Sequence, residues 1–194
     1  MTRLVTRLTR QLGIEHPVLS APMALAAGGA LAAAVTRAGG LGLIGGGYGD
    51  GAWLEREFAQ AGNTRTGCGF ITWSLAKQPH LLTAALAHRP AALMLSFGDP
   101  APFAAEIAAA EIPLICQCQS LDHVRQALDA GAAIIIAQGG EAGGQEGWGG
   151  QEGGRLRVRA GCCSRPAGWL GCLPLAAARR ISPGRRPTFI CWHK

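Results

Sequence analysis

The stretch AIIIAQGGEAGGQ at residues 133–145 decides the fold class of this chain. Its three consecutive isoleucines predict a short strand that is buried on both faces, as the strands of parallel sheets are. The strand runs into a loop that carries Gln138 and Glu141 among four glycines. Glycines permit positive φ and let backbone N–H groups approach a ligand closely. A buried strand that ends in such a loop is typical of the active-site end of an α/β barrel, and a glycine-rich surface turn is the alternative.

Five more apolar runs precede this strand, and each ends in a small or polar loop. They occupy residues 16–23, 40–47, 66–73, 91–99 and 113–120. Alanine-rich segments that suit helices lie between the runs, at 30–38, 52–61, 79–88, 101–110 and 121–130. The runs follow one another at roughly 20 to 26 residues, which is the length of a compact βα unit. This alternation predicts a parallel sheet covered by helices.

The first loop distinguishes an open dinucleotide-binding sheet from a barrel. A Rossmann unit has G-x-G-x-x-G directly after its first strand, whereas this chain has Ser20-Ala21-Pro22-Met23 there. Polar or aromatic residues follow most of the predicted strands, among them Trp73, Gln117 and Gln138. Such residues suit a barrel whose site is built from its βα loops. We therefore predict a partial (β/α)8 barrel of about six strands and five helices over residues 1–145, followed by an irregular tail.

The tail, residues 146–194, differs from the rest of the chain in charge. The whole chain has a formal net charge of +6. Residues 1–145 contain nine basic and ten acidic residues, and the tail contains nine basic and two acidic residues. The tail has no strand–helix rhythm, and its mixture of Arg, Gly, Cys and Trp is typical of a GC-rich gene read out of frame. A basic arm that binds RNA or an anionic surface is the alternative.

Hydrophobic content, apolar run length and cysteine spacing exclude several classes of protein. A chain with 48% hydrophobic residues is not intrinsically disordered. No apolar run reaches the about 18 residues that span a bilayer, and no signal peptide is apparent, so we expect a cytoplasmic protein without a membrane partner. The seven cysteines form no C-x-x-C pair, and Cys116 and Cys118 would share one strand face. We expect reduced thiols and no metal site.

The sequence resembles a known family, the nitronate monooxygenases, formerly called 2-nitropropane dioxygenases. The resemblance covers residues 10–145 and rests on six pieces in the same order and spacing. They are LGIEHPVLSAPM, AGGLGLIGGG, GFITW, LSFGDP, PLICQ and AQGGEAGG. The resemblance implies an FMN-dependent (β/α)8 barrel. Related flavin barrels, such as the FMN-dependent enoyl-acyl-carrier-protein reductases, share the APM and EAGG-type pieces.

The resemblance also implies which residues contact the flavin. The loop after the first strand lies against FMN in this family, a role that falls here on Ala21, Pro22 and Met23. The AQG-x-EAGG piece contacts FMN as well, a role that falls on Gln138 and on Gly143 and its neighbour Gly144. Gln117, at the end of the fifth strand, would point into the same mouth. A packed methionine and amides that only cap strand ends are the alternatives for these positions.

Two features depart from the family pattern. The family continues EAGGH, and its histidine is taken as the base that removes the α-proton of a neutral nitroalkane, whereas this chain has Gln145. Gln145 stands at this catalytic position, and an amide has no basic nitrogen that could take the proton. A nitronate is already deprotonated, so we expect the oxidation of nitronates. In addition, a complete barrel needs roughly 200 to 250 residues. We therefore expect a truncated or frameshifted member of the family, poorly stable and largely inactive.

The sequence leaves three functions open. The first is the flavin-dependent oxidation of alkyl nitronates by O2 to a carbonyl compound and nitrite, with a small nitronate or nitroalkane and O2 as partners and no nucleic acid. The second is an enoyl reductase that would use NAD(P)H and the same flavin. The third is a non-catalytic fragment whose basic tail binds anions. The oligomeric state is not predicted.

Overall fold

A computed structural model describes residues 4–138 and 187–192. The helices of this part are α1 (Arg7–Leu12), α2 (Gly29–Arg37), α3 (Gly51–Ala61), α4 (Thr72–Leu75), α5 (His80–Ala87), α6 (Ala101–Ala109) and α7 (Leu121–Asp129). The strands are β1 (Leu43–Gly47), β2 (Gly67–Ile71), β3 (Leu93–Ser96), β4 (Leu114–Cys118), β5 (Ile134–Gln138) and β6 (Thr188–Trp192). Strands and helices alternate as the sequence predicted.

The six strands form one parallel sheet in the order β1-β2-β3-β4-β5-β6. Neighbouring parallel strands need a crossover connection, and helices supply it between β1 and β5. Because all strands run the same way, their carboxyl ends lie along one edge of the sheet. The order and direction confirm the predicted α/β architecture of a partial barrel.

Two apolar clusters lie on the two faces of the sheet. The first joins the sheet to the covering helices and includes Ile44, Phe70 and Leu95. The second lies on the opposite face and includes Leu43, Met94, Ile115, Ile134 and Ile136. Side chains of a strand alternate between the faces, so both faces are apolar only when both are covered. This explains the isoleucine run in β5.

Helix α1 closes the amino-terminal side of the second cluster. Leu8 and Leu12 of α1, with Ile14, are buried in it. The Gln11 side chain donates through Nε2 to the carbonyl oxygen of Ala133 at 3.1 Å and accepts from Thr188 Oγ1 at 2.7 Å. The helix is thereby joined to the starts of β5 and β6, so α1 lies at the amino-terminal ends of these strands.

The structure corrects two details of the prediction. The run at 16–23 forms only an isolated bridge, Leu19 to Leu41, instead of a strand. The tail is not irregular throughout, because Thr188–Trp192 form β6 and pair with β5 along its length. The β-branched and aromatic residues of TFICW suit a strand, and pairing satisfies backbone groups that β5 would otherwise expose. The division of the chain at 145/146 into two domains stays a prediction.

Within the described residues, no helix is both long enough and apolar enough to cross a membrane.

Candidate functional site

Two glutamine side chains meet at the carboxyl ends of β4 and β5. Gln117 Nε2 donates to Gln138 Oε1 at 2.6 Å. Gln117 follows Ile115 by two residues and Gln138 follows Ile136 by two, so both amides lie on the sheet face that carries the second apolar cluster. Gln138 is buried, with 7% of its surface exposed. A buried amide at this end of a parallel sheet is where barrels place ligand-binding groups.

The amide pair continues into the first turn of α7. Gln119 Nε2 donates to the same Gln138 Oε1 at 2.8 Å, and Gln119 Oε1 lies 3.2 Å from His123 Nδ1. The sequence analysis assigned no role to Gln119 or His123. The Q-C-Q alternation was a usable signal, because residues two apart in an extended segment point to the same side, and Gln119 directly follows β4.

The loop at residues 21–23 lies against glycines of the first two strands. A Cβ atom placed on Gly69 of β2 would come within 2.4 Å of the Pro22 ring, and one placed on Gly45 of β1 would come within 2.4 Å of the Met23 carbonyl oxygen. Only glycine permits this approach. The Met23 carbonyl also accepts from Ala27 N–H at 2.9 Å. The loop is therefore held on the sheet, with the Met23 side chain 55% exposed.

Trp73 lies in α4, directly after β2, instead of in the core. Its ring is 6.1 Å from the ring of Tyr48, which follows β1, and the Lys77 ammonium lies 5.0 Å over it. Tyr48 is 57% exposed. The aromatic pair and its cation form part of the rim at the carboxyl ends of the strands.

Two further features of this rim were not predicted. Thr72 Oγ1 is buried and has no hydrogen-bond partner among the residues that the structure describes. Phe97, after β3, has φ of 61°, in the left-handed region that bulky side chains rarely adopt. Unpartnered polar atoms and strained backbone are found preferentially at functional sites.

Cys68, Cys116 and Cys118 are free and buried. Burial raises the pKa of Cys68 and of Cys118 to about 12. Burial also raises the pKa of Cys116 well above its usual range, and the neighbouring Cys118 adds to this. Neutral thiols of this kind are poor nucleophiles. No group of His, Cys, Asp and Glu in the described residues is arranged to hold a metal ion.

Five of the predicted site residues are described, and they form two groups. Gln117 and Gln138 are in contact. Pro22 lies against β2 and Met23 against β1, and the Ala21 carbonyl accepts from Met23 N–H at 2.9 Å. The predicted residues Gly143, Gly144 and Gln145 lie outside the described residues.

A parallel α/β sheet with a buried amide, Gln138, at the carboxyl end of a strand agrees with a partial barrel. The model of the family described as nitronate monooxygenase matches residues 5–67. The chain is 33% identical over 177 residues to the nitronate monooxygenase of Paraburkholderia phytofirmans, with 70% of this chain and 48% of the relative covered. It is 30% identical over 223 residues to the nitronate monooxygenase of Pseudomonas aeruginosa, with 94% of this chain and 64% of the relative covered.

The fold has solved relatives as well. The structure of a FabK (M276A) mutant from Thermotoga maritima is similar, with a TM-score of 0.67 and 31% sequence identity over 74% of this chain and 49% of that one. The chain thus spans about half to two thirds of the length of the proteins that it matches.

These similarities confirm the resemblance that the sequence predicted. The chain is related to the nitronate monooxygenases over the part of their length that it covers.

Proposed function

We propose that this protein binds FMN and uses it in the oxidation of alkyl nitronates by O2 to a carbonyl compound and nitrite. The net reaction converts two nitronates and one O2 to two carbonyl compounds and two nitrite ions. In each nitronate the C=N bond breaks, the carbon gains one oxygen atom of O2 and the nitrogen leaves as nitrite. The observation that carries the proposal is the hydrogen-bonded pair of Gln117 and Gln138, at the start of the piece AQGGEAGG. The names of the two curated relatives support the nitronate substrate.

The described residues fit the ring of a flavin, which is a flat apolar body with polar edges. Pro22 and Met23 offer an apolar surface that is held on Gly69 and Gly45. The buried amide of Gln138 offers hydrogen bonds for a polar edge. In this proposal Ala21, Pro22, Met23, Gln117, Gln138, Gly143 and Gly144 bind the cofactor. FMN, when bound, supplies the electron transfer, while the protein binds, orients and excludes water.

In this proposal Gln145 restricts the substrates to those that need no proton removed. A neutral nitroalkane must lose its α-proton, and an amide side chain cannot accept it. A nitronate needs no such step. We therefore propose that the chain acts on nitronates and is at least about 100-fold slower on the corresponding neutral nitroalkanes, in keeping with the contribution of a general base. Gln145→His is expected to raise the rate on the neutral nitroalkane and to leave the nitronate rate similar.

Cofactor binding is tested by incubating the full chain with excess FMN, desalting it and recording the visible spectrum. Retained flavin bands are expected. Gln138→Ala should raise the Kd for FMN by about tenfold, because one hydrogen bond to the ligand is lost. The matched control is Gln126→Ala, an exposed glutamine of α7, which should leave the Kd unchanged. A colourless protein would contradict the cofactor proposal.

Turnover is tested with ethyl nitronate and O2 in the absence of any nicotinamide, by measuring nitrite. Nitrite formation would separate this activity from that of an enoyl reductase, which needs NAD(P)H. If the chain shows neither nitronate oxidation nor enoyl reduction, the non-catalytic fragment with a basic tail is tested by binding to RNA or anionic vesicles. Salt-dependent binding that is lost when residues 146–194 are removed would favour it.

A further inference from the structure

We propose that Lys77 is a specificity-determining residue, whose ammonium group attracts the negatively charged substrate to the rim formed by Tyr48, Trp73 and Lys77. The inference rests on the proposed function for its substrate, because an alkyl nitronate is an anion. It assigns the recognition of that charge to one side chain, to which the sequence analysis gave no role.

Lys77 lies between the loops that follow the first two strands. It comes directly after the turn of α4, and its backbone N–H donates to the carbonyl oxygen of the buried Ser74 at 3.1 Å. The next residue, Gln78, packs on the loop after β1, because a Cβ atom placed on Gly49 would come within 2.2 Å of Gln78 Nε2. Lys77 is thereby held at the carboxyl ends of β1 and β2, the end of the sheet at which barrels bind their substrates.

The Lys77 ammonium is held over an aromatic face. Its Nζ lies 5.0 Å from the centroid of the Trp73 ring, and the Trp73 ring lies 6.1 Å from that of Tyr48. The negative face of an aromatic ring attracts a cation, so the flexible side chain has a preferred place while it stays exposed to solvent. Two aromatic rings beside one cation suit a small anion with an apolar body, as an alkyl nitronate has.

A second cation over a tryptophan provides a comparison. Arg56 lies 5.4 Å over the ring of Trp53, and its Nε is also 3.8 Å from a carboxylate oxygen of Glu57. Within the described ranges, by contrast, no carboxylate forms an ion pair with Lys77. The charge of Arg56 is offset by its neighbour, whereas that of Lys77 is available to a ligand.

The nearest loops also carry acidic residues, and helix ends offset their charge. Asp50, after β1, accepts from Trp53 N–H at 3.0 Å, and Asp99, after β3, accepts from Ala101 N–H at 2.9 Å. Each carboxylate therefore lies at the N-terminus of a helix, α3 or α6, where the helix dipole favours a negative charge. The positive charge of Lys77 is not offset in this way and can draw an anion to the rim.

The first test compares Lys77→Met with Lys77→Arg in the full, FMN-loaded chain acting on ethyl nitronate. Methionine keeps an apolar side chain on Trp73 without the charge, and arginine keeps the charge. We expect Lys77→Met to raise KM by about two- to fivefold with kcat unchanged, as for the loss of an exposed charge pair, and Lys77→Arg to stay close to the unsubstituted chain. In about 1 M NaCl, where the Debye length is about 3 Å, the difference should disappear.

The matched control is Arg56→Met, which removes an exposed cation from the other tryptophan. It should leave both KM and its salt dependence unchanged. An active chain in which Lys77→Met has the unsubstituted KM at low salt would overturn the inference.

A second measurement needs no turnover. Iodide is an anion that quenches tryptophan emission on collision, so a positive charge beside Trp73 should increase the quenching of that ring. Lys77→Met should lower the iodide quenching constant, leave quenching by neutral acrylamide similar, and have no effect in a Trp73→Phe background. Unchanged iodide quenching would overturn the inference. Lowered iodide quenching in a chain that forms no nitrite would refute the proposed function and leave the anion-attracting rim standing.

Discussion

At the scale of single residues, the buried thiols show how the fold sets chemistry. Cys116 and Cys118 share one face of β4, as the sequence predicted, and both lie in the cluster under the helices together with Cys68 of β2. A thiolate in that environment would be a buried, unpaired charge, which is why burial raises each pKa. These cysteines serve as small apolar residues.

The consequence is a loss of stability at alkaline pH. The folded protein keeps three protons that the unfolded chain releases above its ordinary thiol pKa of 9.0. The contribution of these thiols to the free energy of unfolding is thus fully present below pH 9 and is lost as the pH rises toward about 12. Urea denaturation between pH 8 and 11 should show the fall, and Cys118→Ala should reduce its slope.

The same burial predicts that the three thiols resist alkylation at pH 8 and react once urea is added, as peptide mass spectrometry would show. Rapid labelling of Cys68 in the native protein would contradict it.

At the scale of the elements, α2 is capped by a neighbouring helix. Its N-cap, Gly28, has no side chain, and Glu57 of α3 accepts from Gly29 N–H at 2.9 Å while only 3% exposed. A Cβ on Gly29 would lie within 1.8 Å of the Glu57 carbonyl oxygen, so the two helices meet where glycine allows it. A carboxylate at a helix N-terminus is also favoured by the helix dipole.

Glu57 should therefore matter more than its neighbour Glu55. Glu57→Met removes the acceptor for a buried N–H group and should lower the free energy of unfolding by about 1.5 to 3 kcal/mol. Glu57→Gln keeps an acceptor and should cost less. The control is Glu55→Gln, which breaks an exposed pair with His88 and should cost under about 1 kcal/mol. Equal effects of Glu57→Met and Glu55→Gln in urea denaturation would refute the capping role.

At the scale of the whole molecule, β6 joins the tail to the rest of the fold. It pairs with β5 over five residues, and Phe189 packs against the cluster under the helices while Ile190 packs against the cluster on the opposite face. The pairing covers the edge of β5, which would otherwise be an exposed, apolar parallel edge.

Removing residues 187–194 should therefore uncover that edge. The loss of two partly buried large side chains and a ladder of hydrogen bonds should lower the Tm by about 4 to 8 °C and increase light scattering on heating. Removing residues 193–194 alone is the matched control and should have no effect. An unchanged Tm for the longer deletion would mean that β6 adds nothing to the stability of the sheet.

The sequence by itself determined the strands β1 to β5, the main helices between them and the face that each of their side chains takes. Periodicity and helix caps are local, so the isoleucines of β5, the helix at 121–130 and the positions of Gln117 and Gln138 at strand ends could all be read from spacing. The likeness to nitronate monooxygenases was apparent for the same reason, since its pieces are short and ordered.

Only the tertiary structure decided which of these pieces touch. The bonds of Gln117 and Gln119 to Gln138 join residues 21 and 19 positions apart, and β6 pairs with a strand about fifty residues before it. The capping of α2 by Glu57 joins residues 28 positions apart. Contacts of this kind depend on which strands pair and on how the helices pack against the sheet and against each other. No local sequence pattern specifies that packing.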